Sequence, residues 1–448
     1  MPDFRGQFPL LQRGFAPENA DLKIGPLYFK LRQLSAGVLW TDNVHRDNTR
    51  RESETNAFMS IGGQLIWQIT EGTRIAASGN FVWYPTKDEN RISAFAPLSF
   101  GLASSPDARV QASWEPVILT IPWTFADEFR VRTGRFTNGA FDGIELFEGF
   151  SVGDDEDEQK IFGFRDRSNR SRTSDGYDEF GYFSNEVSAS TFAKIPGDLN
   201  FRFKASHEDF WYPDNDDSGL PSARNTITAR LESYRENLRF KPYVNYRLTE
   251  RNNPDRLFQV ARVGAKGPVT DLIEFDGNVG YLLEDKTDNE RVLWHARLSH
   301  DINPRTRHFA EWSRNLYDLS DELDQRVIYQ FNHVLGPDLT TELHVGYHWV
   351  EELSGAVADR EDFRAGARAT WRVSPRTSIR IYGQYTDVSY GNDALTTETW
   401  RERLELSHRF YDRINTRLIY QHTNLESTRG RQSYDENLMY FTMSYVFQ

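Results

Sequence analysis

The feature that most constrains the fold is an alternation of apolar and polar residues, repeated in many short stretches along the chain. In DFRAGARATWRV (362–373), Phe363, Trp371 and three alanines occupy every second position, and arginines stand between them. Successive side chains of an extended strand point to opposite faces, so a period of two predicts β-strands with one apolar and one polar face. MYFTMSYVF (439–447) alternates in the same way.

Short turn sequences separate these stretches and set the expected number of strands. They contain Pro, Gly, Asn and Asp, which favour turn dihedrals. The nine turns are TEGT (70–73), PWTFAD (122–127), KIPGD (194–198), YREN (234–237), KGPVTD (266–271), DINPRT (301–306), LGPD (335–338), VSPRT (373–377) and YDRIN (411–415). They alternate with longer charged connections, namely EDKTDNE (284–290), LSDELDQ (319–325), YGNDALTTE (390–398) and ESTRGRQSYDE (426–436). Nine hairpins with an unpaired first and last strand make about 20 strands, with 18 to 22 possible.

The composition indicates that the apolar faces meet lipid. Only 38% of the residues are hydrophobic, whereas 14% are aromatic. No segment has the roughly 18 consecutive apolar residues of a membrane-spanning helix. A β-sandwich would need a bulky interdigitating core, but here alanine and glycine alternate with large aromatics. The sequence therefore predicts an all-β, single-chain transmembrane antiparallel up-and-down barrel, with short periplasmic turns and long extracellular loops. Tryptophans near strand ends fit interfacial belts: Trp67, Trp83, Trp294, Trp349, Trp371 and Trp400.

The expected domain organisation is simple. Residues 1–25 carry no periodicity and are predicted to be a periplasmic segment, and residues 26–448 form the barrel, with LYFKLRQLSAGVLW (27–40) as its first strand. The start, MPDFRGQFPLL, lacks the basic and apolar regions of a signal peptide, so we interpret the chain as a mature form.

Several kinds of chemistry find no support in the sequence. The chain has no cysteine, which excludes disulfides and thiolate sites, and its formal charge of −13 disfavours nucleic acid. Ser407 and His408 are adjacent and point to opposite faces of a strand, so they cannot act as nucleophile and base. His344 and His348 lie roughly 13 Å apart along a strand, too far to share a metal. We expect no enzyme activity, no cofactor and no metal site, and interpret Asp154–Glu158 and Asp214, Asp216 and Asp217 as solvated acids.

The polar faces carry more basic than acidic residues, which makes them candidate pore-lining groups. The basic residues are Arg202, Lys204, Arg230, Arg239, Lys241, Arg247, Arg297, Arg364, Arg368, Arg372, Arg380 and Arg417, and the acidic ones are Glu186, Glu232, Glu274, Asp276, Glu342 and Glu405. Fixed positive charge on a pore wall concentrates anions. Alternatively, the arginines pair with these acids across strands and keep the interior hydrated.

An insertion at 138–179 is too long for a simple connection, because loops of roughly 40 residues are usually functional or disordered. Apolar residues at its start, Phe141, Ile144, Leu146, Phe147 and Phe150, favour folding into the lumen as a constriction loop. Its acids would then face the arginines; they are Asp142, Glu145, Glu148, Asp154, Asp155 and Glu156. A surface loop folded on itself is an equal alternative.

Two motifs resemble those of Gram-negative outer-membrane β-barrels. The C-terminal MYFTMSYVF is similar to the terminal-strand signal that the barrel assembly machinery reads, through Phe441, Met443, Tyr445 and Phe447, although Gln448 follows the closing aromatic. The stretch LKIGPLYFKLRQLSAGVLWTDNVHRDNTRRESE resembles the first strand of putative β-barrel porin families, through Thr41, Asp42 and Asn43. That resemblance implies a link to polysaccharide export.

Three functions are open at this point. The first is passive diffusion of hydrophilic solutes through an outer-membrane channel with a weak preference for anions. The second is a conduit for an exported anionic polysaccharide, and the third is a structural barrel that scaffolds envelope proteins. Expected partners are outer-membrane lipid and lipopolysaccharide, the barrel assembly machinery and envelope proteins.

Overall fold

The structure, a computed structural model, describes most of the predicted strands and their connections. It covers residues 20–43, 51, 53–70, 73–83, 108–114, 116–118, 121–135, 179–211, 223–252, 255–285, 290–317, 322–352, 360–391, 395–411, 413–428 and 433–446. Over these ranges the regular structure is almost entirely β-strand. None of the residues it covers forms a helix of the length and apolarity needed to cross a membrane.

The described residues form 22 strands. They are β1 (Leu22–Ile24), β2 (Leu27–Thr41), β3 (Glu54–Thr70), β4 (Thr73–Trp83), β5 (Ala108–Trp114), β6 (Val117–Ile118), β7 (Ile121–Arg135), β8 (Glu179–Ile195), β9 (Leu199–Trp211), β10 (Ala223–Ser233), β11 (Lys241–Asn252), β12 (Arg256–Pro268), β13 (Ile273–Glu284), β14 (Glu290–Asn303), β15 (Thr306–Tyr317), β16 (Glu322–Val334), β17 (Leu339–Glu352), β18 (Arg360–Ser374), β19 (Thr377–Tyr390), β20 (Leu395–Phe410), β21 (Ile414–Ser427) and β22 (Tyr434–Val446).

Twenty of these strands close into an antiparallel up-and-down barrel. Consecutive strands pair from β2 to β5 and from β7 to β22, β5 pairs with β7, and β22 returns to pair with β2. The two remaining strands are short and lie beside β2 and β7. Closure leaves no long edge of unpaired backbone groups. The predicted fold class and strand number are confirmed for the part of the chain described.

The two ends of the barrel differ in their connections, as expected for an outer-membrane barrel. At one end the strands are joined by 71–72, 115–120, 196–198, 234–240, 269–272, 304–305, 335–338, 375–376 and 411–413. At the other end, the first four connections are 42–53, 84–107, 136–178 and 212–222. Short turns face the periplasm in such barrels and long loops face outward. We therefore call these the periplasmic and extracellular ends.

Two predicted boundaries are wrong. The predicted turn PWTFAD (122–127) lies inside β7, where Trp123 stacks on Phe125 with ring centroids 6.2 Å apart, and the chain turns at 115–120 instead. Pro122 is tolerated because it stands near the start of its strand, where fewer ladder bonds depend on it. The predicted turn YREN (234–237) is too short: it extends to residue 240, and the Leu238 amide donates to the Arg235 carbonyl within it (3.3 Å).

The later extracellular connections are shorter than predicted. Between β11 and β22 they comprise only 253–255, 285–289, 318–321, 353–359, 391–394 and 428–433. Much of the sequence assigned to charged loops continues the strands, including Asp324 in β16 and Glu436 in β22. Polar residues continue these strands at the extracellular end because the strands are longer than the roughly ten residues that are needed to cross a bilayer.

The two faces of the barrel wall carry opposite chemistry. On β22, Phe441 and Met443 are 46% and 51% exposed, whereas Thr442 and Ser444 are 3% and 5% exposed. Outward rows are apolar along most of the strand length, and inward rows are polar and closely packed. Trp67, Trp349, Trp371 and Trp400 are exposed on the outer face near strand ends, as the predicted belts require.

The residues before the barrel fold back on its first strand. β1 pairs with the start of β2, and the Asp21 carboxylate accepts a hydrogen bond from the Leu31 amide (2.8 Å) at a bulge. Residues 20–25 therefore lie at the periplasmic end. The predicted periplasmic position of the preceding residues stays a prediction, because they fall outside the described residues.

Candidate functional site

The strands place nearly all of the predicted lining residues on the inward face. Arg364, Arg368 and Arg372 share a face of β18, and Arg380 and Arg417 join it on β19 and β21. The same holds for Arg202, Lys204, Arg230, Lys241, Arg247, Glu274, Asp276, Arg297, Glu342 and Glu405. Arg239 is the exception, because it lies in the turn before β11 and its Nε donates to the Pro268 carbonyl (2.8 Å).

Several acids on this face are paired with basic side chains. Lys204 Nζ is 3.1 Å from Glu186, and Arg230 is 3.3 Å from Glu232. Arg368 pairs with Glu342, which also accepts a hydrogen bond from Gln330. Cross-strand pairing therefore occurs, and it keeps the inward acids compensated in a crowded environment.

One part of the wall nevertheless has a large excess of arginine. Within the described residues, the inward faces of β18–β21 carry nine arginines but only two acids, Asp362 and Glu405. We call these arginines the arginine wall: Arg360, Arg364, Arg368, Arg372, Arg380, Arg401, Arg403, Arg409 and Arg417. Glu342 of the neighbouring β17 adds a third carboxylate through its pair with Arg368, and three carboxylates cannot cancel nine guanidinium charges, so this face is electropositive.

Glu405 lies at the centre of the arginine wall. Its carboxylate is 3.3 Å from Arg380, 3.0 Å from Arg403 and 3.0 Å from Arg417, and it accepts a hydrogen bond from Ser407 (3.1 Å). The three arginines come from three adjacent strands, since Arg380 pairs with Glu405 and Ser407 pairs with Arg417 across the sheet. One buried carboxylate thus positions three guanidinium groups.

Sequence reasoning missed a second group of inward charges towards the extracellular end. His348 lies 3.1 Å from Asp324, and Arg326 pairs with Glu311 at 2.9 Å. Asp362 is 3.3 Å from Arg360. The prediction that LSDELDQ (319–325) is a charged connection leaves Asp324 out of the strand in which the structure places it. The alternation in ELDQRVIYQFNHV (322–334) could have indicated an inward Asp324, because Asp324, Arg326 and Gln330 all fall on the same face of a strand.

The inward face is also less polar than predicted at one place. Phe258 and Val260 on β12, Leu282 on β13 and Leu293 on β14 occupy inward rows and are buried together. Leu316 and Leu323 join this cluster at the extracellular end of the β15–β16 hairpin. The apolar residues of this chain are therefore not all directed to lipid.

The facing of the remaining singled-out residues agrees with the predictions. Ser407 points inward to Glu405, whereas His408 points outward and bonds Thr377 (2.8 Å). His344 and His348 are both inward and buried. Over the residues described, no group of three or more histidine or acidic side chains is arranged to hold a metal ion.

Some predicted sites lie outside the described residues. These are the candidate constriction loop with Phe141, Asp142, Glu145, Phe147, Glu148, Asp154, Asp155 and Glu156, and the acids at 214–217. Both interpretations of the 138–179 insertion stay predictions. Of the predicted assembly signal, Phe441, Met443 and Tyr445 share the outward face of β22, and Phe447 is not described.

Comparisons with known proteins return similar architectures at very low identity. No family model matches, and no curated protein matches. The ferric enterobactin receptor of Pseudomonas aeruginosa has a TM-score of 0.47 and 8% identity over 93% of this chain and 80% of that one. The siderophore receptor PirA of Acinetobacter baumannii gives the same values. OmpT, an outer membrane protein of Vibrio cholerae, has a TM-score of 0.35 and 7% identity over 95% of this chain and 99% of that one.

The geometry of the chain itself places it in a membrane. A closed barrel satisfies its backbone hydrogen bonds internally, and the exposed apolar rows of its outer face suit hydrocarbon. Even strand number, aromatic residues at strand ends and unequal connections are features of outer-membrane barrels. The chain is a β-barrel of the bacterial outer membrane.

Proposed function

We propose that this barrel is a passive channel for hydrophilic solutes with a preference for anions. The observation that carries the proposal is the arginine wall, in which, over the described residues, nine inward arginines meet three inward acids, Asp362, Glu405 and Glu342 of the adjacent β17. A barrel of 20 strands is wide enough for an aqueous path beside its side chains.

The magnitude of the expected selectivity is small. A unit charge about 10 Å from the ion path in water changes the energy of a monovalent ion by roughly 0.4 kcal/mol, which is about a two-fold change in local concentration. An excess of a few positive charges over negative ones therefore produces a weak preference. Salt screens these charges, so the preference is expected to fall as ionic strength rises.

Two substitutions of opposite sign test the proposal in planar bilayers. Arg372→Gln removes one positive charge from the arginine wall, and Glu405→Gln removes the central negative charge. We expect the first to lower the anion-to-cation permeability ratio and the second to raise it, each by about two-fold at low salt. The measurement is the reversal potential across a potassium chloride gradient.

The control removes a positive charge outside the barrel wall. Arg376 lies in the periplasmic turn between β18 and β19, so Arg376→Gln should leave the permeability ratio nearly unchanged. If Arg372→Gln and Glu405→Gln shift the ratio in the same direction, or neither shifts it, the arginine wall does not set selectivity.

An export conduit for an anionic polysaccharide is the second candidate. It is favoured by Arg360, Arg364, Arg368 and Arg372, which recur every fourth residue along β18 and so lie roughly 13 Å apart from one end of the strand to the other. Such spacing suits a polymer with repeating negative charge. The export conduit would be supported if an acidic polymer blocks the conductance and a neutral polymer of equal size does not. A barrel that scaffolds envelope proteins would conduct little in the same recordings.

A further inference from the structure

A tyrosine contact recurs on the outer face of the barrel in five extracellular hairpins. In each, an outward tyrosine on the first strand donates its hydroxyl to a side-chain oxygen on the second strand. The pairs are Tyr246 with Gln259, Tyr281 with Glu290, Tyr347 with Glu361, Tyr385 with Glu398, and Tyr420 with Asn437. We call these five pairs the tyrosine belt.

The contact has the same geometry each time. Tyr347 is paired across the sheet with Phe363, and its hydroxyl reaches Glu361, two residues earlier on that strand (2.5 Å). Tyr385 is paired with Trp400 and reaches Glu398, again two residues earlier (3.2 Å). The other three pairs follow the same diagonal. Diagonal neighbours on one face of a sheet lie within reach of long and aromatic side chains.

The tyrosine belt lies at the level where the outer leaflet meets water. Glu290 is the first residue of β14, Glu361 the second of β18 and Glu398 the fourth of β20, all at the extracellular end. About ten residues of a tilted strand cross the hydrocarbon, so these acceptors stand above it. Exposed tryptophans flank the belt, with Trp349 against Tyr347 (ring centroids 4.3 Å apart) and Trp400 against Tyr385 (4.7 Å).

We propose that the tyrosine belt binds the saccharide headgroups of the outer-leaflet glycolipid. Each pair offers sugar hydroxyls two acceptors, the side-chain oxygen and the phenol oxygen, because the hydrogen of the phenol is already donated within the pair. The flanking aromatic rings pack against the apolar faces of sugar rings, as amphipathic aromatics do at wet interfaces. The contact occurs in five of the six extracellular hairpins between β11 and β22, with β15–β16 as the exception. The five pairs therefore form an extended surface rather than a single pocket.

Sugar hydroxyls fit the tyrosine belt better than phosphates bridged by divalent cations. Two of the five acceptors, Gln259 and Asn437, are neutral amides. The common property of the belt is therefore an oxygen beside a phenol and not a negative charge. In the three glutamate pairs, one carboxylate oxygen already accepts the tyrosine hydroxyl, which orients the other towards a donor.

The test compares phenol deletions at the two ends of the barrel. A triple variant Tyr281→Phe, Tyr347→Phe and Tyr385→Phe keeps the rings but removes the hydroxyls. The matched control, Tyr329→Phe, Tyr411→Phe and Tyr445→Phe, removes three hydroxyls towards the periplasmic end. Each folded protein is incubated in detergent with rough-type lipopolysaccharide or with phosphatidylglycerol, with EDTA or magnesium, and bound lipid is measured by native mass spectrometry.

The expected result is specific to the glycolipid. The belt variant should bind lipopolysaccharide about ten-fold more weakly than the unaltered protein and the control variant, because each lost hydrogen bond is worth a few-fold. Phosphatidylglycerol should bind all three proteins equally, and EDTA should leave the difference in place. Equal lipopolysaccharide binding, an equal loss with phosphatidylglycerol, or a difference that vanishes in EDTA would each overturn the proposal. If the triple variant does not fold, Tyr347→Phe alone is measured in the same way.

Discussion

At the scale of single residues, the inward face depends on glycines that let aromatic rings lie flat across a strand. The Tyr243 ring crosses Gly264 on β12, so its hydroxyl reaches Asp276 on β13 (3.1 Å) and accepts from Asn278 (3.0 Å). Arg230 stacks on the same ring at 4.4 Å from its centroid. The arrangement resembles the covering of strand glycines by aromatic side chains, which pins the register of a sheet.

The first prediction at this scale concerns Gly264→Ala. A Cβ at this position would lie 2.5 Å from Tyr243 Cζ and 2.6 Å from the Gly277 carbonyl oxygen, so the ring must move away from Asp276. We expect a loss of about 1–3 kcal/mol in the free energy of unfolding, as for other overpacked sites. Urea titration followed by tryptophan fluorescence measures it.

Gly383→Ala is the matched control for this change. A Cβ at Gly383 meets no atom within 4 Å, although this glycine also lies inside a barrel strand. Alanine there should leave stability the same or slightly higher, because it reduces the conformational freedom of the unfolded chain. If both variants lose the same free energy of unfolding, the loss in Gly264→Ala does not come from its contact with Tyr243.

At the scale of elements, the seam between β2 and β22 is fastened by polar side chains at its extracellular end. The Asn437 amide and side chain donate to the Asp42 carboxylate (2.7 and 2.8 Å), and Asp42 also pairs with Arg51. Thr41 donates to Glu436 (3.1 Å), and Asn43 donates to the Asp435 carbonyl (2.8 Å). Inside the barrel, Ser35 and Ser444 bond across the same seam (3.0 Å).

The seam should weaken in acid because of Asp42, which lies just beyond the end of β2. Partial burial raises the pKa of Asp42, but hydrogen bonds from Asn437 and Arg51 outweigh it, so the pKa lies below its ordinary value of 3.8. A lowered pKa stabilises the fold above the ordinary value, and this contribution is lost as the pH falls through the lowered one. We expect Asp42→Asn to cost about 1–2 kcal/mol at pH 7 and less at pH 2, which lies below the ordinary value.

The measurement is urea unfolding at both pH values, with Asp338→Asn as the control. Asp338 lies in the periplasmic turn 335–338, away from the seam. Its replacement should not reproduce the loss at pH 7. If Asp42→Asn remains less stable by the same amount at pH 2, the carboxylate charge is not what fastens the seam.

The seam also shows what sequence reasoning can and cannot reach. The strands were predictable, because alternation is a local property and MYFTMSYVF shows it without any knowledge of a partner strand. Thr41, Asp42 and Asn43 stood out only through a resemblance, since their partner Glu436 is 395 residues away from Thr41 in the chain. Strand ends are hard to predict for a related reason. A polar residue such as Asp324 continues its strand only because the adjacent strand of the sheet also continues and pairs with it.

At the scale of the whole molecule, the barrel separates its charges from its apolar surface. Leu404 and Leu406 on β20 are outward and exposed, whereas Arg403 and Glu405 between them point inward. Outside the apolar cluster on β12–β16, alternation along the described strands thus builds an apolar outer layer and a polar, charged inner one. The overall charge of −13 is therefore a poor guide to the electrostatics of the inner face.

A charge placed on the outer layer should be costly. Leu404 lies near the middle of β20, so Leu404→Arg should destabilise the protein in lipid vesicles by about 2–4 kcal/mol. Leu335→Arg, in a periplasmic turn, should change stability by less than about 0.5 kcal/mol. Urea unfolding in vesicles measures both, and equal effects would mean that the outer face of β20 does not contact hydrocarbon.

The pairing of β22 with β2 has a consequence for the order of folding. Ser35 and Ser444 are 409 residues apart, whereas the other barrel strands pair with neighbours in the chain. Local hairpins form early, and so distant a pair can meet only when the intervening strands have already brought it together. A nascent polypeptide that stops short of residue 434 would present two open ladders, each a template for self-association. The final strand must therefore be synthesised before the barrel can close and pair the exposed edges of its first and last strands.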